Sequence, residues 1–443
     1  MDPMPTVYEI RDPIHRTILI DEQERVVLDH PWVQRLRHIG QTGFVRVAYP
    51  GAVNDRFQHS LGVMHLAGAF FAKLCDDQPG AFACYSSADL AYARRIVRLA
   101  GLLHDVGHAP FSHTSEAWFP RIEAVRLPAD WYREGHQPAD RQACHEDMTL
   151  AIVHRLGTEA GVISEDEARD IAAVLSSEVV RSPRLARLGS LVGILRALVS
   201  GEMDADRCDY LLRDSHFTGV SYGMYDLPRL IACLRVLDGP DGPELGLDVH
   251  GVFALECLLL ARYHMFQQVY FHKTPPAFEY YLGQAIESGE VQFALPDVDA
   301  LLDLRDDSVL SQLHAARAEG LPWSRRILER EPAKLVLRER VGADQPENFL
   351  ADELVGALRA EGCHVFVRRS VQGFTAIAGA GAGNGRARLL CERRVLGRSI
   401  VEPVTRHSEL LASFNRPIDL QHTYVLRGDA DKARRVMERL QVW

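Results

Sequence analysis

The chain opens on alternating apolar and polar residues. From Val7 to Asp29, VYEIRDPIHRTILIDEQERVVLD carries that pattern around an Asp-Pro turn and predicts a short strand or hairpin. HPWVQRLRHIGQTG then reads as a helix, with Pro31 near its start and Gly40 and Gly43 at its end. A loop rich in Pro, Gly and Asn, FVRVAYPGAVNDRFQHS, feeds a helix from about Phe57 to Leu74. There Leu61, Met64, Phe71 and Leu74 recur at helical spacing and His59 falls in the first turn. The helical period returns from Ala88 to Leu103 and delivers His104 and Asp105 to the helix end. Pro120 to Cys144 is irregular and polar, with Trp131 inside it and Trp118 just before it as anchors, and reads as a long loop or flap. His145 and Glu146 open another helix, HEDMTLAIVHRL, where Glu146 and Asp147 have the plain reading of capping carboxylates. One long helix is predicted over about Leu191 to His216, and RVLDGPDGPELGLDVH has the punctuation of a hairpin.

After Lys273, helices continue to about Arg330, and then the pattern changes. KLVLRERV, CHVFVRR, RLLCERR and HTYVLRG read as strands, separated by helices near Asn348 to Glu361 and Ala430 to Leu440. The expected fold is mostly α, a helical core over residues 1–330 with a smaller C-terminal α+β lobe over 331–443. A chain of 443 residues, 47% hydrophobic, is long enough for one large core and a second, smaller domain. The AIAGAGAGNG run invites a phosphate-loop reading, but no Lys-Ser/Thr follows it and the dinucleotide spacing fails, so a turn is expected.

Charge narrows the partners. A net charge of −10 argues against wholesale binding of nucleic acid or anionic membrane, although local basic sites remain open and nucleic acid is not excluded. The eight cysteines are scattered without a CxxC pair, as reduced thiols in a cytoplasm are, and no stretch is long enough to span a membrane. A cytoplasmic protein is the expectation.

The candidate chemistry centres on Arg98 to His113, RLAGLLHDVGHAPFSH. His104 and Asp105 are adjacent, and side chains at a helix end can converge on an ion just beyond the last turn. Gly107 and Pro110 bend the backbone and bring His108 and His113 toward the same point. His59 is by itself a packing residue, and Arg56 by itself a weak phosphate candidate. Asp204, Asp206, Asp209 and Asp214 fall within eleven positions, which usually marks a solvated face, but apolar neighbours surround them and Asp206 would complete a ligand set that lacks a second carboxylate.

His59, then His104 and Asp105, then Asp206 is the order H…HD…D. With the flanks DPIH, QRLR, YPGAVNDRFQHSLGV, LLHDVGHAPFSH, HE and DADRCDYLLRD, the chain from about Asp12 to Lys273 resembles the HD phosphohydrolase superfamily, in its dNTP triphosphohydrolase branch. The resemblance implies an HD-domain helical core in which His59, His104, Asp105 and Asp206 hold one divalent metal, with Mn, Mg, Fe, Ni and Zn not distinguished. It implies removal of the whole triphosphate by attack of water at the α-phosphorus. His108, His113 and His145 then lie beside that phosphorus, His113 as candidate acid for the leaving oxygen, with Glu116 where the family has Asp. A second metal held by His108 or His113 is the competing reading. By the same resemblance Arg56, Arg207 and Arg262 contact the triphosphate, and Gln41, Tyr210, Asp214 and Tyr270 the sugar. Thr42 replaces a leucine that crowds the ribose 2′ position, which leaves ribo/deoxy preference open. Tyr263, Phe266 and Tyr270 also fit a plain core-aromatic spacing.

Asp29 and Arg37 match part of a regulatory nucleotide pocket between subunits, although Tyr8 replaces its lysine, and Asp29 reads equally as a helix cap before Pro31. A homo-oligomer, dimer or tetramer, follows from the resemblance, with a nucleotide substrate and an activating nucleotide as partners. The rival functions are a phosphatase or phosphodiesterase acting on monophosphates, cyclic nucleotides or nucleic-acid ends, and a nucleotide-sensing module without turnover.

Overall fold

A computed structural model describes residues 7–159, 161–240, 242–341, 349–373, 389–413 and 417–442; the AIAGAGAGNG run and Asn348 lie outside them. The N-terminal alternation is a hairpin, β1 (Val7–Asp12) antiparallel to β2 (Arg16–Asp21). Asp12 shapes its turn by accepting the N–H groups of Ile14 and His15 at 2.9 and 2.8 Å. The hairpin ends earlier than the alternation suggests. Asp21 and Glu24 form a reciprocal capping box that starts a helix over Glu22–Leu28, and local capping prevails over the period-two pattern. Asp29 ends that helix, and the residue capping Pro31–Gln34 is His30, which corrects the reading of Asp29 as the cap before Pro31.

Four helices position the site: α1 (Arg56–Asp77), α2 (Ser87–Leu103), α3 (His145–Thr158) and α4 (Ala205–Thr218). Each start is set by a carboxylate or hydroxyl on an early backbone N–H. Asp55 accepts from Gln58, Ser86 pairs reciprocally with Asp89, the Asp147 carboxylate reaches back to Cys144, and Asp204 accepts from Arg207. α1 and α2 bury Val63, Met64, Ala67 and Phe70 against a core that holds Ile96, Leu99, Leu102 and Leu103. At about 1.5–3 kcal/mol per buried side chain, this packing outweighs local propensity and fixes where the end of α2 lands.

The single helix expected from Leu191 to His216 is two, Leu191–Val199 and α4. Ser200 and Gly201 break the run, and Asp204 accepts the N–H of Gly201 as well as that of Arg207, so the chain restarts there. The first half of the loop from Pro120 to Cys144 packs down, with Ile122, Val125, Leu127 and Trp131 buried, while residues 133–142 are mostly exposed.

Beyond α4, β3 (Leu234–Gly239) and β4 (Gly242–Asp248) form the expected hairpin. Helix α5 (Val252–Met265) follows and loosens into a π-helical turn, Phe266–Tyr270, a device often found at functional sites. Helices over Pro275–Glu287, Asp306–Ala318 and Pro322–Leu328 come next. In the tail, β5 (Lys334–Arg340), β6 (Val365–Gln372) and β9 (Ile418–Val425) make an antiparallel sheet in the order β5-β9-β6. Helices Phe349–Ala360 and Ala430–Leu440 close a small core on it around Leu358, Val425 and Val436. The hairpin of β7 (Leu390–Val395) and β8 (Arg398–Pro403) joins β4 instead, through the parallel pair Leu247 and Cys391. The fold is thus mostly α, with a smaller α+β C-terminal region.

Candidate active site

The first turns of α1 and α4 and the end of α2 bring His59, His104, Asp105 and Asp206 to one point. His59 Nε2 lies 3.0 Å from Asp206 Oδ1 and 3.7 Å from Asp105 Oδ2, and His104 Nε2 lies 3.5 Å from Asp105 Oδ1 and 3.6 Å from Asp206 Oδ1. Donors held about 2.1 Å from one ion at tetrahedral or octahedral angles stand roughly 3.0–3.4 Å apart, so this spacing suits a single cation. The imidazole tautomers agree. His104 Nδ1 faces the Gly101 carbonyl at 2.8 Å and His59 Nδ1 faces Asp209 Oδ2 at 2.7 Å, so the ring hydrogens sit on Nδ1 and both Nε2 atoms turn inward. His104 Nε2 is buried without a hydrogen-bond partner, a condition that costs about 1–3 kcal/mol if nothing binds there.

The electrostatics point the same way. Burial opposes a charged His59, yet its bonds to Asp206 and Asp209 lift it to about 10. His104 is raised as well, Asp105 and Asp206 prevailing over burial. Burial alone would raise the Asp105 carboxyl, but His104, Arg56 and His108 hold it well below the usual carboxylate range. The pocket therefore draws positive charge to the meeting point of these groups, and His59, His104 and Asp206 form a cluster able to hold a metal ion.

The turn after Asp105 builds a second cluster. Gly107 presses on α3 so closely that a Cβ would run into the His145 carbonyl and the Thr149 nitrogen, which only glycine avoids. His108 stacks on His145 at 3.9 Å with 15° between the planes, and His113 stands edge-on to both. Glu116 Oε1 accepts from Nδ1 of His113 at 2.8 Å and of His145 at 2.7 Å. Against burial, those two bonds bring Glu116 down to about 2. His145 is raised by Glu116 despite its burial, whereas burial, Arg56 and His145 hold His108 well below the usual imidazole range. The four side chains also lie close enough to share an ion. Stacked imidazoles, however, aim their in-plane lone pairs in parallel, while the ligands of one ion converge. The backbone here is strained: Phe111 and Ser112 are consecutive left-handed residues with φ of 57° and 56°, at about 1–3 kcal/mol each.

On the far side of the first cluster stand the expected sugar contacts. The Tyr210 ring is 6.5 Å from His59 and 6.3 Å from Tyr270. Tyr270 donates to Asp214 Oδ2 at 2.7 Å, and Asn54 donates to Asp214 Oδ1 at 2.8 Å. Gln41 donates its backbone N–H to the Asn54 carbonyl at 3.0 Å, and its side-chain oxygen is buried without a partner. Arg262 is buried on α5, 5.6 Å from the Phe266 ring centre. Arg56 is buried, paired with Asp105 and bonded to Ser112, and Arg207 pairs with Glu202 at 3.0 Å. Asp29 and Arg37 are exposed, Asp29 paired with Arg25 and Arg37 lying 3.6 Å over the Phe57 ring centre.

Residues 56–171 match the HD domain and residues 225–346 the HD associated region. The chain belongs to the HD-domain phosphohydrolase superfamily. An uncharacterised protein of Methanocaldococcus jannaschii is 31% identical over 304 residues, covering 69% of this chain and 54% of that protein. The deoxynucleoside triphosphate triphosphohydrolase SAMHD1 homolog of Dictyostelium discoideum is 27% identical over 327 residues, covering 72% of this chain and 57% of that protein. The chain thus spans little more than half the length of these relatives. The crystal structure of a hypothetical protein from Aquifex aeolicus, 27% identical, superposes with a TM-score of 0.71 over 98% of this chain and 100% of that one.

Sequence reasoning passed over Asp209. It is fully buried, accepts from His59 and His15, and takes two bonds from Arg213, whose other partner is Asp12 of the hairpin. Asp204 and Asp214 are buried too, so the carboxylates of α4 do not form a solvated face. Helical spacing carried the signal, because positions 206, 209 and 213 share one side of a helix. Asn54 was missed for lack of any pattern around it.

Proposed function

We propose that this chain hydrolyses (deoxy)nucleoside triphosphates to the nucleoside and tripolyphosphate. The observation that carries the reading is the wall of Tyr210, Tyr270, Asp214 and Arg262 beside the cation cluster, a set an enzyme for a bare phosphate has no need of. His59, His104, Asp105 and Asp206 would hold a divalent ion, which supplies Lewis acidity to a phosphoryl oxygen and lowers the pKa of water. Asp214 and Tyr270, fixed on each other, orient the sugar. Glu116 holds Nδ1 of His113 and leaves Nε2 of that exposed ring to give a proton to the leaving 5′-oxygen. His145, held by the same carboxylate, and Arg262 stabilise the negative charge that grows on the phosphoryl oxygens.

A second reading, a phosphatase or phosphodiesterase, is favoured by one observation: Arg56 and Arg207, two of the three expected triphosphate contacts, are ion-paired internally. Incubation with a panel of dNTPs, NTPs and monophosphates in manganese or magnesium, with the phosphorus products identified, separates the two. Intact tripolyphosphate with free nucleoside is expected. Orthophosphate released from monophosphates would replace this reading with the second, and nucleotide binding without turnover would point to a sensing module.

A further inference from the structure

The turn that carries His108 and His113 does not hold itself. Two consecutive left-handed residues, Phe111 and Ser112, lie between these histidines, and the His113 side chain is mostly exposed, so the aim of its ring depends on the backbone beneath it. The restraints on that backbone come from far away in sequence. The segment Leu304 to Asp306, within the HD associated region, meets the turn and the strand-like stretch at Gly40 in one knot.

We propose that Asp306 and Arg35 are positioning residues through which the associated region sets the place of His108 and His113, an inference that rests on the acid/base reading of those histidines. Asp306 Oδ1 accepts the Phe111 N–H at 2.8 Å and its Oδ2 accepts the Gly40 N–H at 2.9 Å. Two separate loops are thereby joined by the two oxygens of one carboxylate. Asparagine offers a single acceptor oxygen and cannot reproduce the pair. Arg35 is 1% exposed and its guanidinium is spent wholly on backbone carbonyls: Nε on Leu304 at 3.1 Å, Nη1 on Val106 at 3.4 Å and Nη2 on His108. It ties the same segment to both ends of the His-Asp turn. Ser112 completes the knot by donating to the Gly40 carbonyl at 2.8 Å while accepting from Arg56, the partner of Asp105.

Packing supports the same division. Phe111 stacks on Phe44 at 4.7 Å with 9° between the planes, in a core shared with Phe278, Val309 and Leu313 of the helices that follow Lys273. The catalytic turn is therefore anchored on a core separate from the one under α1 and α2, and a strained backbone persists only where its surroundings over-determine it. The cation cluster sits on the first core and the acid/base histidines on a turn gripped by the second. Movement of the Asp306–Ala318 helix would act first on the Phe111 N–H and so on the aim of His113.

The test is Asp306→Asn, with the adjacent exposed Asp307→Asn as the control that leaves the carboxylate pair intact. Hydrogen exchange on the manganese-loaded protein is expected to quicken on the order of tenfold at Phe111 and Gly40 in the Asp306 variant alone. In steady-state kinetics kcat falls on the order of a hundredfold, with KM and bound manganese unchanged, as misplacement of a catalytic group predicts. If Asp306→Asn does not fold, Ser112→Ala probes the same knot by the same exchange readout. Wild-type exchange at both amides would overturn the proposal, and so would faster exchange with an unchanged kcat. Should the wild-type protein turn over no nucleotide, the functional reading fails by that result alone, while the exchange data still decide whether Asp306 grips the turn.

Discussion

Asp209→Asn is the most informative single change outside the metal ligands. The substitution keeps the shape of a fully buried side chain, so it opens no cavity, and exchanges the charge and one acceptor oxygen for an amide NH2. Two consequences can be sized separately. Arg213, itself fully buried, keeps Asp12 at 2.8 Å but loses the carboxylate that met both its Nε and its Nη2 at 2.8 Å. Breaking a buried ion pair from one side costs about 3–5 kcal/mol, and the surviving Asp12 contact places the loss near 3 kcal/mol. The second consequence falls on His59. Its Nδ1 no longer meets a charged acceptor at 2.7 Å, and loss of such an outer partner weakens metal affinity about 10–100-fold, or roughly 1.4–2.7 kcal/mol. Urea unfolding of the ion-free protein reads the first quantity, and competition of manganese against a chromogenic chelator on folded protein reads the second. A variant that binds manganese with the wild-type Kd would refute the claim that Asp209 orients His59, whatever its stability.

Asp206→Ala is expected to abolish metal retention, measured by elemental analysis after gel filtration; a variant with full metal content would sink the cluster assignment. Glu116 is depressed in the folded protein from its ordinary value to about 2, so its stabilising effect is fully present above about pH 4.5 and is lost as pH falls toward 2. The gap in urea stability between wild type and Glu116→Gln, up to about 3 kcal/mol at pH 6, should therefore narrow progressively between pH 4.5 and 2.5, and a constant gap would contradict the assignment. Tyr270→Phe removes the 2.7 Å bond to Asp214 and should raise KM for the nucleotide up to about tenfold with little change in kcat, whereas an unchanged KM would remove Tyr270 from the sugar wall.

Much of the helical core was legible because its signals are local. Helical periodicity placed α1 and α2 to within a few residues, and the His104-Asp105 pair announced itself as a knot of ligand types at the end of a helix. Where expectation and structure part, a local competitor was in play: the Asp21 capping box shortened the hairpin region, and Gly201 with Asp204 split the helix expected across Leu191 to His216. The tail shows the limit most clearly. Four of its strands were readable in the sequence and β8 was not, and the hairpin of β7 and β8 joins β4 rather than its neighbours in the chain, since a period of two specifies a face and not a partner.

The sequence by itself determined the kinds of groups available: two imidazoles and two carboxylates for an ion, three further histidines, and a carboxylate beside them. Only the tertiary structure decided how they divide. Burial and hydrogen bonding assign the ring hydrogens of His59 and His104, commit Arg56 and Arg207 to internal carboxylates, make Glu116 the shared acceptor of two histidines, set Asp209 behind His59, and bring in Asn54 and Asp306 from positions that no local pattern marks. The physical reason is that propensity and periodicity act over a few residues, whereas proton placement and ion pairing depend on which distant groups the packed core brings within about 3 Å.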